Sequence, residues 1–226
     1  MTNQITATYI NHCGSDITTV NAARVSFGKK SGWEYHDSQT MRLSDRDTRL
    51  IKYLAKHKHI SPFGHAFASF HVKAPVFVAR QLVKHKFLRW NEVSRRYVND
   101  PPEFYVPEWR EAADNKKQGS GGAMGKPERK PVENKYEQLT KGAARTYRRM
   151  LELGVCEEQA RMVLPLSHMT EWYWSGSLDA FADMCNLRCK EDTQYETRLV
   201  ADQVSTIMQD LFPVSWKALM EGQDDD

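Results

Sequence analysis

The chain has 226 residues, 40% of them hydrophobic and 27% charged, with a formal net charge of +3. This composition fits one folded domain, 1–226, with a sizeable core, and the charge is too small to argue for nucleic acid by itself. No apolar run approaches the roughly 20 residues of a membrane span, and residues 1–6 have neither the basic start nor the apolar stretch of a leader. The four cysteines (Cys13, Cys156, Cys185, Cys189) form no Cys-x-x-Cys pair, which predicts reduced thiols in a cytoplasmic protein.

In chain order, residues 4–12 are rich in Thr, Ile and Tyr and predict a strand. Asn21 to Phe27 predicts part of an early helix stopping at Gly28, followed by a Gly28–Gly32 loop. Ser44 with Asp47 three residues on marks the start of a helix, with Leu50, Ile51, Leu54 and Ala55 on one face, that runs out near His57. Ala66 to Val72 predicts a strand, and Ala74-Pro75 opens a helix through Val83. Five histidines fall between His57 and His85, but their spacing matches no His-x-x-x-His pair and brings no cysteine partners, so no metal site is expected.

From Pro101 to Pro131 the density of Gly, Pro and Lys predicts a mobile surface loop over 110–131, a linker or a lid. Helical spacing from Val132 (Tyr136, Leu139, Ala143, Tyr147, Met150) runs to a stop at Gly154. A short helix closes at Pro165, and Thr170 to Trp174 predicts a strand. Ser177 caps a helix ending at Asn186-Leu187-Arg188, and Val200 to Leu211 forms a last amphipathic helix. Alone, these elements establish only mixed α and β.

The most informative stretch is Lys84 to Tyr97, Lys-His-Lys-Phe-Leu-Arg-Trp-Asn-Glu-Val-Ser-Arg-Arg-Tyr. Arg80 to Tyr97 holds six Lys or Arg and one acid, a local +5 that leaves the rest of the chain at −2. Cations interleaved with Asn91, Glu92 and Ser94 suit an anionic small molecule with a polar head. Phe87, Leu88, Trp90, Val93 and Tyr97 prevent the segment from being a purely solvated loop. The same basic and aromatic mixture also fits a nucleic-acid-binding or RNA-modifying protein.

The segment resembles the flavin-dependent thymidylate synthase signature Arg-His-Arg-x-x-Ser-x-Asn-Glu-x-Ser-x-Arg-Tyr. His85, Asn91, Glu92, Ser94, Arg96 and Tyr97 match it; Lys84, Lys86 and Arg89 depart from it. His59-Ile60-Ser61-Pro62-Phe63-Gly64-His65 is similar to the family's flavin-contacting loop, with Gly64 where relatives often carry Glu. Arg161 and Arg188 resemble its nucleotide arginines. Ser177, Asp179 and Asp183 stand where relatives tend to carry Asn, Arg and Asn.

The resemblance implies an α/β (α+β) fold with a central antiparallel sheet flanked by helices, and a methyltransferase making dTMP from dUMP. It further implies FAD, NADPH as reductant and 5,10-methylenetetrahydrofolate as carbon donor, in a homotetramer with shared active sites. The nucleotide would be held by Gln81, Lys84, Glu92, Ser94, Arg95, Arg96, Arg161 and Arg188, with Arg188 catalytic. FAD would be held by His59, Ser61, Lys84, His85, Lys86, Glu92, Ser177 and Asp183. NADPH would dock without a Gly-x-Gly-x-x-Gly loop, which the chain lacks.

A thiolate route to the same product needs a cysteine among cations. Cys13 and Cys156 have no lysine or arginine within three residues, and Cys185 and Cys189 lie on or just past an apolar helix. Inert thiols are therefore expected. Ser94 has no general base beside it in sequence and is read as a binding residue.

Overall fold

The structure is a computed structural model, described for residues 4–35, 41–113 and 119–221. Its centre is a four-stranded sheet of β1 (Thr6–Cys13), β4 (Phe67–Pro75), β6 (Met169–Ser177) and β5 (Leu88–Glu92), antiparallel throughout and ordered β1-β4-β6-β5. β2 (Glu34–Tyr35) and β3 (Met41–Arg42) make a separate two-stranded ribbon. The antiparallel sheet with helices packed on it is therefore as the resemblance implies.

Period-two alternation decides which face of the sheet is covered. Ala68, Phe70, Val72 and Ala74 of β4 and Trp172 and Trp174 of β6 point into the core. In register beside them, Trp90 of β5 stacks on Trp172 at 4.3 Å. The opposite face carries Ser69, His71 and Lys73 against Ser175, Tyr173 and Glu171. Phe67 and Tyr173 are 47% and 56% exposed there, so this face stays open in a single chain.

The covered face carries α6 (Leu178–Arg188) and α7 (Tyr195–Leu211), and α8 (Pro213–Glu221) packs on these two and on α2 (Asp45–Lys56), with α1 (Asp16–Arg24) beside them. The core they share runs from Ile5 to Leu219. Asp16, buried in the first turn of α1, accepts hydrogen bonds from Val214 N (3.0 Å) and Ser215 N (2.8 Å), capping α8 from far away in sequence. Ser44 caps α2 by accepting from Asp47 N at 3.1 Å. Asp47 also pairs with the part-buried Arg24 and accepts from Ser31 Oγ. Burial alone would raise the Asp47 carboxyl, but hydrogen bonds from Arg24, Ser44 and Ser31 outweigh it and hold the group below its ordinary value.

Four expectations change. The helix through Val200–Leu211 is not the last, because α8 follows it. The helix expected from Val132 begins at Lys126, as α4 (Lys126–Glu152), so 126–131 is not loop. Pro127 sits where helical N–H groups have no partner anyway, and Pro131 deletes one bond near that end. Residues 110–113 and 119–125 lack regular structure but are tied by an Arg110–Ala123 bridge; positions 114–118 lie outside the described residues. Finally, Ser177 precedes α6 without a side-chain capping bond.

Close approach of β5 to β6 depends on Gly176, paired with Leu88. A Cβ there would lie 2.4 Å from Leu88 Cδ2 and 3.1 Å from the Phe87 carbonyl oxygen. Phe87 itself turns the chain into β5 with a φ of +63°.

Candidate active site

The basic segment starts on α3 (Val76–Leu82), whose Val78, Ala79 and Leu82 are buried, so Gln81 and the Lys84–Lys86 turn project from an anchored support. Arg188, the last residue of α6, reaches this turn from 103 positions away: its Nε donates to His85 Nε2 at 3.0 Å. His85 must therefore carry its proton on Nδ1. Burial, and then the positive charge of Arg188, push its pKa down to about 4, so the ring is neutral at neutral pH.

Gln81 and Arg188 line one cavity of about 480 Å³, a size suited to a small ligand. Asp192, Thr193, Gln194 and Tyr195 line it from the turn into α7, and Arg110, Gly119 and Ser120 join from the 101–125 segment. Three site expectations thus meet: Gln81, His85 and Arg188.

The β5 end of the segment faces elsewhere. Glu92 accepts from Thr170 Oγ1 (2.8 Å) and Trp90 Nε1 (3.1 Å). Ser94 Oγ accepts from the backbone N and the Nε of Arg96, both at 3.3 Å, and the Arg96 guanidinium lies 4.9 Å from the Tyr97 ring centre. Arg95 donates to the Asp100 carbonyl at 2.5 Å and lines a second cavity of about 350 Å³ with Lys73, Glu103 and Glu171. Arg161 is exposed and donates to the Glu158 carbonyl at 3.3 Å. One chain therefore does not bring Glu92, Ser94, Arg95, Arg96 and Arg161 into the Gln81–Arg188 cavity.

Residues 8–214 match the family model described as thymidylate synthase complementing protein. A flavin-dependent thymidylate synthase of Thermus thermophilus is 40% identical over 94% of this chain and 74% of its own length. The chain belongs to the flavin-dependent thymidylate synthase family. Its relative from Kosmotoga olearia, with the same description, is 36% identical over 92% of this chain and 86% of that one. Among solved structures, a UMP/dUMP methylase PolB from Streptomyces cacaoi bound with 5-Br dUMP superposes with a TM-score of 0.83. It is 29% identical, covering 96% of this chain and 95% of that one. The nucleic-acid reading of 80–97 is not favoured by these findings.

Membership in a flavin-dependent synthase family implies FAD. Ser61 opens a short 3₁₀ turn, Ser61–His65, packed beside α6. A side chain at Gly64 would reach within 3.8 Å of Asp179 Oδ1, a buried acceptor with no partner. A hydroxyl or ring N–H of a bound group would satisfy it. Asp183, one turn along α6, has its pKa raised by burial and then by the charge of Asp179. Ser177 is buried at the base of this wall, and exposed His59 lies in a ring cluster with Tyr53 and His57. Lys84 and Lys86 are exposed and form no ion pair among the described residues, leaving two cations for phosphate. The donor set fits a flavin dinucleotide.

The thiols do not fit a nucleophile's place. Cys185 is buried, with burial pushing its pKa well up, and none of the four cysteines lines the 480 Å³ cavity. Among the described residues no three His, Cys, Asp or Glu side chains group as metal ligands. Sequence reasoning missed Arg110, Gln194 and Tyr195 on the cavity wall. They stand in no motif, and only the fold brings them beside Gln81.

Proposed function

We propose that this chain makes dTMP from dUMP, with 5,10-methylenetetrahydrofolate as carbon donor and NADPH as the reductant that recharges FAD. When bound, FAD supplies the hydride. The observation that carries the reading is the meeting of Arg188 and Gln81 at one cavity, with Arg188 held by His85 from behind the wall, because a merely basic surface needs no such convergence.

Arg188 provides a fixed cation for negative charge developing on the uracil as its N3 proton is lost, so no covalent nucleophile is required. Gln81, Glu92 and Ser94 fix the neutral edges of the nucleotide. Lys84, Arg95, Arg96 and Arg161 hold its anionic part. Lys84, Lys86, His85, Glu92, Ser61, His59, Ser177 and Asp183 hold FAD. Lysines in place of arginines keep the charge but give up the bidentate fork, so they act as point charges.

Glu92, Ser94, Arg96 and Arg161 lie outside the cavity of their own chain, and one sheet face is open with Phe67 and Tyr173 on it. Both facts support a homotetramer whose active sites draw on several copies. The test is Arg188→Ala: dTMP formation is lost while the protein stays yellow. A colourless Arg188→Ala protein would move this arginine from the nucleotide to the flavin.

A further inference from the structure

A chain of polar side chains with a defined direction runs along the cavity wall. Arg110 donates to Glu196 Oε1 at 2.8 Å, its guanidinium 4.7 Å from the Tyr195 ring centre. Glu196, only 3% exposed, accepts a second bond on Oε2 from Gln194 Nε2 at 3.3 Å. Gln194 Oε1 accepts from Gln81 Nε2, and Gln81 Oε1 accepts from Thr197 Oγ1 at 3.2 Å.

An isolated amide can present either end to a neighbour, but this chain is anchored. Arginine only donates and an ionised carboxylate only accepts. Glu196 thus obliges Gln194 to turn its NH2 inward, which leaves the Gln194 carbonyl for Gln81. Gln81 must then offer its own NH2 to Gln194 and its carbonyl to Thr197. One Nε2–H of Gln81 remains for an acceptor in the cavity.

We propose that Glu196, clasped by Arg110, is a positioning residue that sets the direction of the Gln81 amide through Gln194. The inference rests on the reading of Gln81 as a dUMP-binding residue. In the set direction Gln81 meets an acceptor oxygen of the nucleotide with an N–H. Turned over, it would oppose that oxygen with its own carbonyl. Nothing in the basic segment points to this role, because Arg110, Gln194, Glu196 and Thr197 all lie outside it.

The experiment uses full-length protein with FAD bound and measures the dUMP dissociation constant by calorimetry. Glu196→Gln removes the acceptor-only anchor at nearly constant shape, and Gln194→Met cuts the relay while keeping the buried carboxylate and its Arg110 partner. Each is expected to weaken dUMP about tenfold, as for one lost hydrogen bond. In a Gln81→Ala background each is expected to have no further effect. Side-chain amide signals of Gln81 and Gln194, read by NMR without nucleotide, should exchange slowly in wild type and lose that protection in Glu196→Gln.

Wild-type affinity in Gln194→Met, or a tenfold loss that persists on top of Gln81→Ala, overturns the proposal. If wild-type protein binds no dUMP, the functional reading has failed. The amide signals then still decide the relay: unprotected in wild type, they refute it.

Discussion

Replacing His85 by glutamine tests the Arg188–His85 contact through its pH dependence. The ring is held neutral, its pKa moved from 6.5 to about 4 by burial and by the adjacent Arg188 charge. A histidine with a depressed folded pKa is protonated first in the unfolded chain. Its contribution is therefore complete above about pH 6.5 and is lost as pH falls toward 4. Taking those two values, going from pH 7 to pH 5 costs the wild type roughly 2 kcal/mol from this group alone. The glutamine of His85→Gln would keep an acceptor for Arg188 Nε but cannot titrate. Urea unfolding of wild type and His85→Gln at both pH values isolates the effect, because every other titrating group is common to both proteins. The wild type should lose about 2 kcal/mol more than the variant over that interval. Equal losses would show that His85 is not held neutral against Arg188.

Arg24→Ala strands the buried Asp47 carboxylate and should cost about 3–5 kcal/mol by denaturant unfolding; a loss below about 1 kcal/mol would mean Ser31 and Ser44 suffice alone. Gly176→Ala drives a Cβ toward Leu88 and should cost about 1–3 kcal/mol, with Leu88→Ala in the same chain relieving part of it. No relief would place the strain at the Phe87 carbonyl instead. Asp16→Ala leaves the α8 N–H groups of Val214 and Ser215 unpaired and should cost about 1–3 kcal/mol. Amide exchange should accelerate at those two positions first, and uniform acceleration would contradict a local cap.

Much of this architecture was legible because local chemistry and tertiary packing agree. Ser44 caps α2 as its spacing with Asp47 predicts, and α4 stops just before Gly154, whose φ is +84°. The 84–97 signature located His85, and the Asn-Leu-Arg end of α6 located Arg188. What stayed hidden depends on contacts between distant positions. α8 is short and is capped by Asp16 across 198 positions, so Pro213 at its first position is its main local signal. The start of α4 was obscured because Pro127 and Pro131 read as breakers, whereas Pro127 lies in the first turn, where it costs no helical bond, and Pro131 beyond it costs one. Arg110 sits in a Gly- and Lys-rich stretch with no motif, and its partner Glu196 is 86 positions away. Residues such as Arg161 and Ser94 carry family-like spacing yet stand apart from the cavity of their own chain.

The most direct trial of the functional account is tritium release from [5-³H]dUMP by the purified protein given FAD, NADPH and methylenetetrahydrofolate. The account predicts release coupled to dTMP formation, dependent on all three additions and unaffected by replacing all four cysteines with serine. Release that survives omission of the flavin, or that vanishes with the cysteines, would contradict it.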